Sequence, residues 1–157
     1  MSNPDLIVIG SDHAGWPLKE VLVGYLRERG FRVEEVGPRD RTAVDYPDVA
    51  VVVGRKVASG EVPRGILICG TGLGMSIAAN KVPGVRACLC YDTYMARMSR
   101  AHNDCNILVL GGRVVSPLAA QEILSVWLET DFDGGRHQNR LDKITRIEHE
   151  TNKGDAS

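Results

Sequence analysis

Short apolar runs alternate along this chain with longer stretches of helical periodicity. The first run ends at Ile9, where Gly10-Ser11-Asp12-His13-Ala14-Gly15 break it with turn residues and Pro17 opens a helix. In that helix Leu18, Val21, Leu22, Tyr25 and Leu26 recur at three- and four-residue intervals until Gly30 stops it. A second strand is predicted over 31–36, a polar loop over 37–48 that could reach over a pocket, and a helix over 49–59. Ile66, Leu67 and Ile68 read as a strand buried on both faces, followed by a short helix over 76–81. A strand over 85–91, a helix over 93–100 and a strand over 107–110 continue the alternation. Ser116 and Pro117 then cap and open a helix carrying Ala120, Ile123, Leu124, Trp127 and Leu128. After the break at Asp133-Gly134-Gly135, a last helix over 138–150 has only Leu141, Ile144 and Ile147 as its apolar stripe.

Strand and helix alternate throughout, which predicts an α/β fold with a parallel sheet covered by helices on both faces. The 157 residues suit a single domain, 1–157, with 152–157 expected as a disordered tail. So thin a stripe on the final helix predicts packing against a second subunit as well as its own. A net charge of −1, with no basic stripe and interleaved aromatics, argues against nucleic acid as a partner. No apolar run approaches the ~20 residues that span a bilayer, and the start of the chain lacks the regions of a signal peptide. The expected setting is therefore cytoplasmic, without membrane attachment. Four cysteines, at 69, 88, 90 and 105, fit that reducing compartment, and Cys88 and Cys90 read as core and not as a zinc site.

The chemistry concentrates in 65–82. Cys69 ends the apolar run, and Gly70, Gly72 and Gly74 let the backbone turn sharply and approach a ligand closely. A loop opening into a helix presents unpaired N–H groups and a positive dipole end, which suits an anion or an oxygen that becomes one. A thiol so placed can act as base or nucleophile. On the loop alone a buried core cysteine and a nucleotide loop remain alternatives. Asp92, about twenty residues on, could be a ribose-binding acid, but no frame of the glycines gives G-x-G-x-x-G.

Ligands of open α/β sheets bind beyond the carboxyl ends of the strands. Asp12 and His13 follow the first strand, Cys69 the third, and Gly111-Gly112-Arg113 the fifth. His102 closes a helix, where a histidine is often only a dipole partner. Arg136 and Arg140, four apart, can face one side and fork onto a phosphate, though alone they read as solvated charges. His137 and His149 carry no stronger claim.

Six motifs in order make the chain resemble the type B ribose-5-phosphate isomerases: Asp12-His13-Ala14-Gly15, Asp45-Tyr46-Pro47, Cys69-Gly70-Thr71-Gly72, Ala78-Ala79-Asn80-Lys81, His102-Asn103-Asp104 and Gly135-Arg136-His137-Gln138. That family also holds galactose-6-phosphate and allose-6-phosphate isomerases. The resemblance implies a Rossmann-like three-layer sandwich with a five-stranded parallel sheet and an extra C-terminal helix. It implies an aldose–ketose isomerase of ribose 5-phosphate that needs no cofactor and no metal, a homodimer or homotetramer with its active site at the subunit interface. By the same resemblance Cys69 moves the proton, Thr71 and the amides of Gly70, Gly72, Leu73 and Gly74 hold the enediolate, and His102 opens the sugar ring. Asp12 and Asn103 bind hydroxyls, while His13, Arg113, Arg136 and Arg140 hold the phosphate. One branch of the family uses a glutamate later in the loop, where this chain has Met75, so the chain resembles the cysteine branch. The rivals are an isomerase of another sugar phosphate and a non-catalytic nucleotide-binding module.

Overall fold

The computed structural model describes residues 3–154. Five strands, β1 (Leu6–Ser11), β2 (Arg32–Val36), β3 (Arg64–Cys69), β4 (Ala87–Leu89) and β5 (Ile107–Gly111), form one all-parallel sheet in the order β2-β1-β3-β5-β4. Between and after them run α1 (Trp16–Glu28), α2 (Tyr46–Ala58), α3 (Leu73–Ala79), α4 (Thr93–Ala101), α5 (Pro117–Glu129) and α6 (Arg136–Gly154). The central strands bury both faces with the period of two that a pleated strand imposes. Ile7, Ile9, Ile66, Ile68, Leu108 and Leu110 face a core closed by α1, α4 and α5. Val8, Leu67, Cys69, Ile107 and Val109 face the other core, closed by α2 and α3. The predicted α/β architecture is the one observed.

The strand order reverses direction between β1 and β3, and their carboxyl ends, at Ser11 and Ile68, are paired in register. That is the crevice where such sheets take ligands.

Several boundaries move, each for a local reason. Helix α2 begins at Tyr46 and not at 49, because Pro47 sits in its first turn with its fixed φ already helical. The polar loop shortens to 37–45. Helix α3 begins at Leu73 and not at 76, since Gly72 at φ 82° turns the chain directly into it. Strand β4 is only three residues long, an edge strand paired on one side alone. Helix α6 runs from Arg136 to Gly154, so 152–154, expected as disordered tail, are helical. Residues 155–157 lie outside the described residues.

The thin stripe on α6 is real: of its nineteen residues only His137 and Leu141 are buried, and Ile147 is 64% exposed. Leu73 and Ile77 on α3 and Tyr94 on α4 are exposed by 55%, 65% and 70%. These helices flank the β4 edge, so apolar surface gathers along that side of the molecule.

Candidate active site

Loops at the carboxyl ends of β1, β3 and β5 enclose a cavity of about 310 Å³ lined by Asp12, His13, Tyr46, Cys69, Thr71 and Arg113, with Ala14, Gly70 and Gly74. Backbone bonds lace the loops together: the Gly112 amide donates to the Cys69 carbonyl at 2.8 Å, the Arg113 amide to that of Gly70 at 2.9 Å, and the Asp12 amide to that of Ile68 at 3.3 Å. Ladder geometry thus fixes where each side chain starts. Asp12 is buried, and its Oδ1 accepts from the Gly15 amide at 2.9 Å. The Cys69 Sγ accepts from the Gly72 amide at 3.2 Å, which holds the sulfur against its own loop.

The glycines here meet a steric requirement. A Cβ on Gly72 would stand 2.4 Å from Leu89 Cδ1 and 3.1 Å from the Leu110 backbone, and one on Gly74 would stand 2.6 Å from the Tyr46 ring. Tyr91 braces the loop from outside, donating from its hydroxyl to the Thr71 carbonyl at 3.1 Å. Two of the amides expected in an anion hole are spent inside the loop, Gly72 on Cys69 and Leu73 on Thr71 Oγ1 at 3.2 Å. The amides of Gly70, Thr71 and Gly74 have no acceptor among the described residues.

The polar loop over 37–45 does reach the cavity. Lys19, wholly buried, donates from Nζ to the carbonyls of Pro38 (2.7 Å) and Val36 (3.4 Å), and its burial holds it below the ordinary lysine range. The Val44 amide approaches His13 Nδ1 at 3.4 Å, which leaves Nε2 as the nitrogen that carries a proton in the neutral ring. Arg41 joins His13 and Arg113 around an adjoining recess of about 370 Å³. Tyr46 and Arg41 were not singled out from sequence. The Asp45-Tyr46-Pro47 motif was the available signal for the first, and nothing local marked the second.

His102, Asn103, Arg136 and Arg140 stand elsewhere. Helix α4 starts beyond the carboxyl end of β4 and runs back along the sheet, so His102 caps it at the opposite end. Asn106 pairs there with Gly65, and at about 3.3 Å per residue Gly65 lies about 13 Å along β3 from Cys69. Asn103 lines a groove of about 470 Å³ together with Cys88, Leu141 and Ile144. The His102 ring stacks on that of His137, centroids 4.1 Å apart and planes 12° from parallel. Sequence reading left His137 as a surface residue, but it is buried. That burial, beside His102, Arg136 and Arg140, holds its imidazole below the ordinary histidine range. The stack arises where α6 meets the end of α4, and no local pattern announces it. Arg136 and Arg140 are exposed, and neither they nor Arg113 form an ion pair among the described residues.

The other cysteines belong to the core. Cys88, Cys90 and Cys105 form no disulfide, and burial pushes the Cys90 thiol up to about 12. Asp92 Oδ1 accepts from the Met95 amide at 2.7 Å as the cap of α4, which engages the acid that a nucleotide reading would need. Among the described residues no helix is long and apolar enough to cross a membrane.

A family model described as Ribose/Galactose Isomerase matches residues 7–144. Ribose-5-phosphate isomerase B of Escherichia coli (strain K12) is 49% identical over 146 residues, 93% of this chain and 98% of that protein. A D-erythrulose-4-phosphate isomerase of Pectobacterium atrosepticum is 41% identical over 92% of this chain and 95% of its own. The solved structure of Clostridium thermocellum ribose-5-phosphate isomerase B superposes with a TM-score of 0.92 at 53% identity, covering 93% of this chain and 99% of that one.

Proposed function

The chain belongs to the Ribose/Galactose Isomerase family, and from that premise we propose that it interconverts ribose 5-phosphate and ribulose 5-phosphate through a cis-enediolate. The observation that carries the reading is the placement of Cys69 at the end of β3, where it lines a cavity with Asp12, His13 and Arg113. Cys69, acting as the base, takes the proton from C2 of the open-chain aldose and returns it to C1. Positioned proton transfer of this kind contributes about 10² to 10⁴ in rate. The negative charge that builds on the enediolate oxygens is met by the loop amides of Gly70, Thr71 and Gly74, a fixed set of dipoles that need not reorganise during reaction. Asp12, steadied by Gly15, accepts from sugar hydroxyls. His13 and Arg113 hold the phosphate, whose charge of about −1.5 to −2 calls for further guanidinium groups.

Those further groups, and the histidine that opens the ring, come from a second copy of the chain. Apolar surface on α3, α4 and α6 flanks the β4 edge, and patches of that kind mark association surfaces. A two-fold axis at this edge sets the two sheets antiparallel, so the carboxyl end of one sheet lies beside the amino end of the other. Such an interface is isologous and builds two equal sites. In each, the partner subunit's His102 takes the proton of the anomeric hydroxyl O1 and returns it to the ring oxygen, Asn103 of the partner subunit binds a hydroxyl, and the partner's Arg136 and Arg140 complete the phosphate site.

A coupled assay across ribose 5-phosphate, allose 6-phosphate, galactose 6-phosphate and a tetrose 4-phosphate tests the substrate, with ribose 5-phosphate expected to give the highest kcat/KM. The likeness to the D-erythrulose-4-phosphate isomerase favours a tetrose phosphate as the second reading. A higher kcat/KM for the tetrose would establish it in place of the first.

A further inference from the structure

His102, Asp133 and His137 each offer one ligand atom, and these atoms lie within 4.8 Å of one another. They come from the end of α4, the α5–α6 connection and the first turn of α6. Two backbone bonds fix that convergence, from the Asp133 amide to the Ala101 carbonyl at 2.9 Å and from the His137 amide to that of Gly134 at 3.1 Å. None of the three side chains has a hydrogen bond or ion pair elsewhere among the described residues, so their lone pairs are unspent.

We propose that these three residues bind a divalent transition ion, with Zn²⁺ the representative, and that the bound ion silences the enzyme by occupying the His102 ring. Two imidazoles and a carboxylate suit zinc, which takes them at about 2.0 to 2.2 Å in a tetrahedron and leaves a fourth position to water. Mg²⁺ and Ca²⁺ prefer oxygen donors and are poor matches. In the stacked arrangement the ring planes, and with them the nitrogen lone pairs, lie nearly parallel and apart, so a shared ion requires one ring to turn toward the other. That turn unstacks His102 and engages the nitrogen that would serve the sugar. Arg136 and Arg140, whose charges act on His137, oppose the ion's charge and make the site reversible, an inhibitory device and not a resident centre. The binding rests on geometry alone. The inhibition rests on the ring-opening role of His102 proposed above.

Zinc titration of the whole protein by calorimetry in a non-chelating buffer, with native mass spectrometry for stoichiometry, separates the two. One ion per chain is expected, in the wild type and equally in Cys69→Ala, which removes the cavity thiol as the ligand, with no heat from Mg²⁺. Asp133→Ala should weaken zinc binding about tenfold or more, keep its basal isomerase activity, and need correspondingly more zinc for inhibition. His137→Ala should bind none. Asp133 is exposed, so its variant keeps the test open if His137→Ala does not fold. Equal zinc affinity in the wild type and Asp133→Ala overturns the site. Binding lost with Asp133, but without inhibition of the wild type, overturns the inhibitory device and counts against His102 as the ring-opening group, while the isomerase assay itself stands apart.

Discussion

At the carboxyl end of the sheet the candidate site is made largely of backbone, whereas at the amino end it is made of side chains. Around Cys69, the glycine loop, the ladder of β3 and β5 and the amides of Gly112 and Arg113 determine where every atom sits. Around His102, the arrangement depends on α6 reaching the end of α4, so that His137 can stack and Asp133 can approach. The first end has a cavity and a candidate base. The second has imidazoles and exposed guanidiniums, and of its expected groups only Asn103 lines a groove. The proposed two-fold assembly is what would bring these opposite ends of two sheets together.

The largest expected effect lies at the backbone end. Cys69→Ala should lower kcat/KM about 10² to 10⁴-fold in the coupled assay while binding of the sugar phosphate, followed by calorimetry, changes little. Substantial turnover in the purified variant would remove the sulfur from the proton transfer. Gly72→Ala should come next, combining a positive φ with the clash against Leu89 and Leu110. A loss of about 1 to 3 kcal/mol is expected in urea unfolding, together with loss of activity. Gly135, at φ 56° but with open space around it, gives the contrast. Its alanine variant should cost only the left-handed backbone penalty, about 1 to 2 kcal/mol, and equal losses at both positions would mean that crowding at the loop is not what sets its conformation.

The smallest effect concerns a thiol that does no chemistry. Because the folded Cys90 titrates at about 12, above its unfolded value of 9.0, the unfolded chain sheds that proton first as pH rises. This contribution to stability is complete below pH 9 and is lost between 9 and about 12. Cys90→Ala should flatten the fall of Tm across that window, and an unchanged slope would contradict the assignment.

Fold and backbone half-site were both legible in the sequence because each depends on neighbours in the chain. The apolar runs gave the strands, and Cys69 with its glycines marked the loop. Boundaries moved where one residue decided them, Pro47 drawing α2 forward and Gly72 drawing α3 forward. His137 was not legible, since its burial comes from a helix packing on the end of another element, and a lone histidine on a charged helix reads as solvated. Arg41 was hidden for a related reason: the 37–45 loop, anchored by buried Lys19, brings it beside His13 and Arg113.

The claim that two chains make one site is tested most directly by mixing Cys69→Ala with His102→Ala under conditions where subunits exchange. In a dimer of one chain of each kind, one site carries both lesions and the other carries none. At equal mixing half the dimers are of this kind, so the account predicts recovery to about a quarter of wild-type activity from two preparations that are inactive on cyclic ribose 5-phosphate alone. Recovery absent, with mixed dimers shown by mass spectrometry, would place Cys69 and His102 in one chain's site and contradict the account.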